Sequence, residues 1–358
     1  MVRALFRSIT APQPDQPSLQ ARIYYPAVYT GSDLEKNTGA LPAAPGETPW
    51  PVAILMPGIN VGPECYAWLA LALARAGIVT LVYGWIREEM PGLVALTPGL
   101  DIEALKPEAY GSRPSATALG AVIKALAAEN KAGPLAGRLD LSRILLGGHS
   151  AGGSVALFNA RPDWFPGLTA VFAYGAHSKA STMLGYPADT VLSLPAMLPT
   201  LILGGSEDGV IAASAFRYGD DGEAEPDPVG PLRRSFEEGL SAARGDCHLA
   251  ILRGANHFSM CWPQDGSSGR PFLDWPETRG GDQIRGGIAD LVTGFAAQHL
   301  EISNSAGEGW RKRLGEAAAG ATVEVAGPPP AGAGPWLSAA RQREKASGTL
   351  GGYTLLEK

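Results

Sequence analysis

One short segment concentrates residues that can do chemistry. In Arg143-Ile-Leu-Leu-Gly-Gly-His-Ser-Ala-Gly-Gly, the stretch Gly148-His149-Ser150-Ala151-Gly152 fits G-x-S-x-G. An aliphatic run leads in and a helix-compatible run, Ala151 to Asn159, leads out. That is the strand–turn–helix setting in which a tight turn lifts a serine hydroxyl into the open. Gly148 and Gly152 leave room for strand and helix to approach, and the helix start aims backbone N–H groups at developing negative charge. A plain glycine-rich turn would account for the glycines but not for the flanking runs. His149 is a neighbour of Ser150 with its backbone committed to the turn.

A serine hydroxyl needs a base, and the base needs an acid to orient it. In this kind of turn the chain order is Ser, then Asp or Glu, then His. Leu201-Ile-Leu-Gly-Gly-Ser-Glu-Asp ends one strand-like run with Asp208, and Ala250-Ile-Leu-Arg-Gly-Ala-Asn-His ends another with His257. Glu207 is the alternative acid; the shorter Asp208, one residue further out, suits the loop better. Among the five histidines, His248 precedes a strand and belongs to the opposite edge, and His299 is expected on the surface of the last helix. His177 follows a strand that ends at Ala173 and reaches the same edge as Ser150, as a pocket wall or as a structural residue. The oxyanion of an acyl-transfer intermediate needs two N–H donors. Ala151 supplies one, and the loop Pro57-Gly58-Ile59-Asn60-Val61-Gly62 supplies the other through Ile59.

These residues require elements that bring them to one rim. Strand-like runs at Leu19–Tyr25, Val52–Met56, Ile78–Tyr83, Arg143–Leu146, Thr169–Ala173, Thr200–Leu203 and Leu249–Leu252 alternate with helical patterns. The helical patterns are Glu64–Ala76, a helix from near Ser115 through Leu126, Ala151–Asn159 and a closing helix with Ile284, Ile288, Leu291, Val292 and Phe295 on one face. Alternation of this kind predicts an α/β fold with a mostly parallel central sheet flanked by helices. Sites in such sheets lie outside the carboxyl ends of the strands.

Composition narrows the function classes. The 358 residues carry a net charge of −6 with 18% charged residues, so a basic nucleic-acid footprint is absent. With 46 Gly and 30 Pro the chain is turn-rich without being low-complexity. Three cysteines without a C-x-x-C pair argue against a structural zinc site. The apolar run Tyr66–Ile86 is broken by Arg75 and Gly77 and reads as a helix then a strand, not a membrane span. Arg7, Pro12, Pro14 and Pro17 leave no apolar core for a secretion signal near the start, so the expected location is cytoplasmic.

Taken together, Ala21-Arg-Ile-Tyr-Tyr-Pro, Met56-Pro-Gly-Ile-Asn, Ala67-Trp-Leu, Ala76-Gly-Ile-Val, Arg138-Leu-Asp-Leu-Ser-Arg, the G-x-S-x-G turn, Gly205-Ser-Glu-Asp and Gly254-Ala-Asn-His resemble serine hydrolases of the α/β-hydrolase fold. The nearest branch is the dienelactone-hydrolase-like group that includes cutinase-like polyesterases, chlorophyllases and platelet-activating-factor acetylhydrolases. The resemblance spans about Leu19 to Leu300. It implies Ser150, Asp208 and His257 as the triad and Ile59 and Ala151 as oxyanion donors, with no cofactor and no metal. The chain departs from cutinase-like enzymes at Ala151, where they carry Met, and at Tyr174-Gly-Ala-His177, where they carry Trp. Chlorophyllases carry Arg after the nucleophile.

The expected organisation is a catalytic domain over residues 1–300 with insertions at 84–114, 212–231 and 259–282, followed by an Ala/Gly/Pro-rich extension, 301–358, that reads as a linker or loosely held tail. The first and third insertions are expected to cap the pocket with apolar surface. Asn60, His149, His177, Trp85 and Trp262 are the substrate-binding candidates. The second insertion carries Asp220, Asp221, Glu223, Glu225 and Asp227 without a calcium-loop spacing, and reads as a solvated loop. The expected activity is hydrolysis of a fairly hydrophobic small-molecule or polymeric ester through an acyl-enzyme. Amide cleavage, acyl transfer to an alcohol and a non-catalytic hydrolase-fold binding protein are the rivals.

Overall fold

Apolar side chains alternate between the two faces of the central strand β3 (Trp50–Met56). Ala53 and Leu55 join the core on one side of the sheet; Val52, Ile54 and Met56 join the core on the other. A strand apolar on both faces belongs in the middle of a sheet covered from both sides. The computed structural model describes residues 1–303 except 14, 47, 91, 220–225 and 241–243, together with 306–310, 312, 349–350 and 353–357.

The remaining strands are β1 (Val2–Thr10), β2 (Ser18–Pro26), β4 (Val79–Met90), β5 (Leu93–Thr97), β6 (Leu139–His149), β7 (Leu168–Tyr174), β8 (Thr200–Gly205), β9 (His248–Leu252), β10 (Thr349–Leu350) and β11 (Tyr353–Glu357). They form one 11-stranded mixed sheet in the order β1-β2-β4-β3-β6-β7-β8-β9-β11-β10, with β5 paired to β4 alone. The path from β4 to β9 is parallel throughout, and both ends are closed by antiparallel strands.

Helices flank both faces. After α1 (Asp33–Thr38) come α2 (Ala67–Arg75) and, late in the chain, α7 (Gly281–His299), which cover one face through Leu69, Leu73, Ile288, Leu291 and Phe295. The other face is covered by α3 (Leu119–Glu129) and α4 (Ala151–Phe158), through Val122, Leu126, Val155 and Ala156. Two short helices, α5 (Gly209–Ala213) and α6 (Gly230–Arg234), follow β8. The run Tyr66–Ile86 divides at Gly77, whose φ of 87° places it in the left-handed region, while Ile78 N–H donates back to Leu73 O at 3.0 Å. That is a helix stop built on glycine, and β4 starts two residues on. No helix among the described residues is long and apolar enough to cross a membrane.

Four regions differ from the sequence expectation. The N-terminal residues form β1, an edge strand in which exposed Arg3, Phe6, Ser8 and Thr10 are interspersed with buried Leu5 and Ile9 and half-buried Ala4 and Arg7. The segment 30–49, read as a loop, holds α1, because Ser32 and Glu35 make a reciprocal capping box that its Pro/Gly content obscures. In the first insertion β4 runs on to Met90 and returns as β5, making an antiparallel ribbon. The extension, read as loosely held, ends in β11, whose backbone pairs with β9 in register from Tyr353 opposite Leu252 to Glu357 opposite His248. An open parallel edge would otherwise present unpaired backbone groups. The linker-like stretch 318–335 lies outside the described residues, as do Asp220, Asp221, Glu223 and Glu225 of the acidic loop. Asp227 of that loop accepts from Val229 N–H and Gly230 N–H at the start of α6.

Candidate active site

The turn between β6 and α4 is tight because its glycines admit no side chain. A Cβ on Gly148 would collide with the Gly152 backbone, and one on Gly152 with the Met56 and Pro57 carbonyls of the neighbouring strand. Ser150 sits at the apex with φ 55° and ψ −123°, a strained backbone for a non-glycine residue. Its N–H donates to Tyr174 O at 2.9 Å, and its carbonyl accepts from Ser154 N–H at 3.0 Å. The residue is half-buried, and its hydroxyl makes no hydrogen bond among the described residues.

Asp208 and His257 come together just past the ends of β8 and β9. His257 Nδ1–H donates to Asp208 Oδ2 at 2.8 Å, and both side chains are buried. Asp208 Oδ1 also accepts from Ile211 N–H at 2.8 Å, capping α5, so the carboxylate is fixed by two bonds in two directions. With Nδ1 committed to the acid, Nε2 is left as the basic nitrogen of the ring. Glu207 takes no part in this pair. It accepts from the Ser206 hydroxyl at 3.1 Å, and burial pushes its carboxyl above the usual range.

Gly175 joins this pair to the serine turn. It follows Tyr174, the residue that accepts from Ser150 N–H, and has φ 59°. A Cβ there would lie 2.9 Å from His257 Nδ1 and 3.2 Å from Asp208 Oδ2. Any side chain would push into the acid–base pair. Tyr174 itself donates its hydroxyl to Asn256 O at 2.7 Å, bracing the residue before His257.

The loop after β3 completes the rim. Gly58 N–H donates to the Tyr66 hydroxyl at 2.9 Å. Asn60, at φ 57°, exchanges two hydrogen bonds with Leu96 of β5, N–H to O at 2.8 Å and Oδ1 from N–H at 3.1 Å. Between them, Ile59 N–H donates to no protein group among the described residues, and the same holds for Ala151 N–H at the start of α4. The two N–H groups that the sequence singles out are thus both left open.

A carboxylate with no signature in the sequence holds the loop of His257 to that of Asp208. Asp274 accepts from Gly209 N–H at 3.0 Å, His257 N–H at 3.2 Å and Phe258 N–H at 2.9 Å. Burial pushes its carboxyl up to about 6, against the opposing effect of those N–H bonds. The third insertion therefore reaches the site. A Cβ on Gly269 would sit 3.5 Å from the Phe258 ring and 3.6 Å from Asn60 O, and the next residue, Arg270, donates to Ser214 Oγ at 3.3 Å. The segment crosses from the loop after β3 to the helix after Asp208.

The substrate-binding candidates are placed unevenly. Trp85 is fully buried and donates its indole N–H to Gln16 O at 3.0 Å, which makes it a strut between ribbon and N-terminal strands and not a pocket wall. His149 is likewise fully buried and presents no surface to a ligand. Asn60 spends its amide oxygen on Leu96. His177 lies edge-on against Tyr218 at 4.7 Å and accepts from Lys179 N–H; burial, reinforced by Lys179 and His257, pushes it down to about 3, so it is neutral. Trp262 is 52% exposed beneath the Arg285 guanidinium, 4.1 Å from its ring. Cys65, Cys247 and Cys261 are free thiols, and among the described residues no cluster of His, Cys, Asp and Glu is placed to hold a metal ion.

No family model matches the chain, and no curated protein matches it either. Among solved structures it is similar to a ferulic acid esterase from Streptomyces cinnamoneus, with a TM-score of 0.52 and 17% identity over 85% of this chain and 91% of that one. At that identity the likeness speaks for the shared arrangement of sheet and helices.

Proposed function

We propose that this chain is a serine carboxylic-ester hydrolase of the α/β-hydrolase fold, with Ser150 as nucleophile, His257 as general base and Asp208 as the acid that orients it. The observation that carries the reading is the buried Asp208–His257 hydrogen bond, packed against Gly175 one residue beyond the acceptor of Ser150 N–H. The positive φ of Ser150 and the fold likeness to an esterase support it.

In this reading, substrate binding brings the Ser150 hydroxyl to His257 Nε2; catalytic hydrogen bonds of this kind often close only in the complex. Ser150 Oγ attacks the ester carbonyl as His257 takes its proton. Asp208 fixes the imidazole tautomer and stabilises the imidazolium. The open N–H groups of Ile59 and Ala151 take the oxyanion. His257 then protonates the leaving alcohol, and water, activated by the same ring, releases the acid from the acyl-enzyme. Each step as written uses the chain's own residues, the substrate and water.

The finer assignment is a fairly hydrophobic ester of the kind taken by the dienelactone-hydrolase-like branch. The test is hydrolysis of p-nitrophenyl esters of increasing acyl length, beside aryl esters such as feruloyl esters and polymeric esters, by the wild type and Ser150→Ala. Turnover that rises with acyl length and disappears in the variant is expected; turnover that survives the substitution overturns the mechanism.

A further inference from the structure

His149 lies inside the serine turn yet faces away from solvent, and its two ring nitrogens have separate partners. Nε2 is 3.1 Å from His257 O, and Nδ1 is 3.0 Å from the Tyr66 hydroxyl. The Tyr66 hydroxyl in turn is 2.9 Å from Gly58 N. All are buried. The proton positions follow from the chemistry of each group. A carbonyl only accepts, so His149 Nε2 carries a hydrogen and donates it to His257 O. Nδ1 is then a bare acceptor, filled by the Tyr66 O–H. Gly58 N–H only donates, and it does so to the Tyr66 oxygen. The Cys261 thiol, 3.7 Å from Nδ1, faces the same nitrogen. Burial and the nearby His257 ring hold His149 far below its ordinary value, so the ring is neutral.

We propose that Tyr66 and His149 are positioning residues, a one-way hydrogen-bond relay that sets the oxyanion-side loop and the base loop against the nucleophile turn; this rests on the esterase reading above. The relay runs Gly58 N–H to Tyr66, Tyr66 to His149, and His149 to the backbone of His257. It touches each of the three loops that the reaction must register, and it reaches them through backbone groups, which move the whole loop. It also selects the donor. Because Tyr66 takes Gly58 N–H, the next N–H, that of Ile59, is the one left open at the rim. A fully satisfied buried network of this kind rigidifies what it joins, and misplacement of a donor by about 1 Å costs on the order of 100-fold in rate.

The test uses the full chain and three variants, with p-nitrophenyl butyrate as substrate. His149→Gln places an amide oxygen toward Tyr66 and an amide N–H toward His257 O, so it should keep kcat within about 3-fold of wild type. His149→Leu and Tyr66→Phe break the relay and should lower kcat by about 10- to 100-fold, with KM within about 3-fold. Tyr66→Phe removes a single oxygen and serves where His149→Leu fails to fold. Loss of activity equal in Gln and Leu variants that both melt cooperatively would overturn the proposal, as would a Tyr66→Phe enzyme with unchanged kcat. Independently of any activity, 15N NMR of labelled histidine in the wild type should show His149 with Nε2 protonated and Nδ1 bare, unchanged from about pH 5 to 9. A ring that titrates in that range, or carries its hydrogen on Nδ1, contradicts the relay, whereas a wild type inert on every ester but with this tautomer contradicts only the esterase reading.

Discussion

One histidine opens β9 and another lies five residues past its end, and the two could hardly be less alike. His248 opens the strand, buried, with Nδ1 unpartnered among the described residues and its ring edge-on to Trp310 at 5.1 Å. Nearby His299 and Trp310 also leave ring nitrogens, Nε2 and Nε1, without a partner among the described residues. Burial pushes both histidines down to about 4. Past the far end of the strand, His257 has a partner on Nδ1, a brace on its backbone N–H from Asp274 and another on its carbonyl from His149. Burial alone makes a histidine neutral and inert. Bonds from defined directions fix which nitrogen is free and where it points, as the proposed role of His257 as a base requires.

Substitutions at the carboxyl end should therefore hit activity, and those at the amino end stability alone. Ser150→Ala and His257→Ala should each lower kcat by about 10³-fold or more, measured on p-nitrophenyl butyrate. Asp208→Asn should cost about 10³- to 10⁴-fold, because the amide favours the wrong tautomer. Under the same assay His248→Leu should stay within about 2-fold of wild type. A large rate loss in His248→Leu, or none in Asp208→Asn, would erase the distinction between the two ends.

The two ends should also respond to pH with opposite sign. His248 has a native value near 4, below its ordinary 6.5. The unfolded chain binds its proton more readily, so its contribution is present above pH 6.5 and is lost as pH falls toward 4. His248→Leu should therefore lose less stability than wild type between pH 7 and pH 4.5, by about 1–3 kcal/mol in urea unfolding. Asp274 behaves in reverse. Its native value, about 6, lies above the ordinary 3.8, so the native state holds that proton more tightly and ionisation works against folding as pH rises from 3.8 to 6. Asp274→Asn should gain stability relative to wild type over that rise, by about 1–3 kcal/mol. A relative loss would mean that the bonds from Gly209, His257 and Phe258 outweigh the burial of charge. The smallest effect expected is that of His248→Leu on stability at pH 8, within about 1 kcal/mol, since a buried nitrogen without a partner is replaced by apolar surface.

Much of the site was legible because its constraints are local. Gly148 and Gly152 mark close backbone approaches that no other residue permits, and Asp208 and His257 follow strands short enough to recognise by their aliphatic runs. The sequence leaves Asp208 and Glu207 side by side; in the structure it is Asp208 that caps α5 and meets His257, while Glu207 accepts from Ser206. Tyr66 and Asp274 left no local signal. Each acts through hydrogen bonds to segments distant in the chain, Tyr66 to His149 and Asp274 to Gly209 and His257. Trp85 misled for a related reason: in a stretch read as loop an aromatic suggests a pocket wall, but β4 extends through it and buries it. The antiparallel strand β11 was hidden by the composition of the extension before it, since pairing with β9 is a long-range event.

The central claim is that Ser150 is the nucleophile activated by His257. Its most direct test is labelling of the full chain with a fluorophosphonate probe, followed by peptide mapping by mass spectrometry. The account predicts a single adduct on Ser150, lost in His257→Ala and formed at near wild-type rate in His248→Leu. An adduct on another serine, or ester turnover by a protein that takes no label at Ser150, would contradict it.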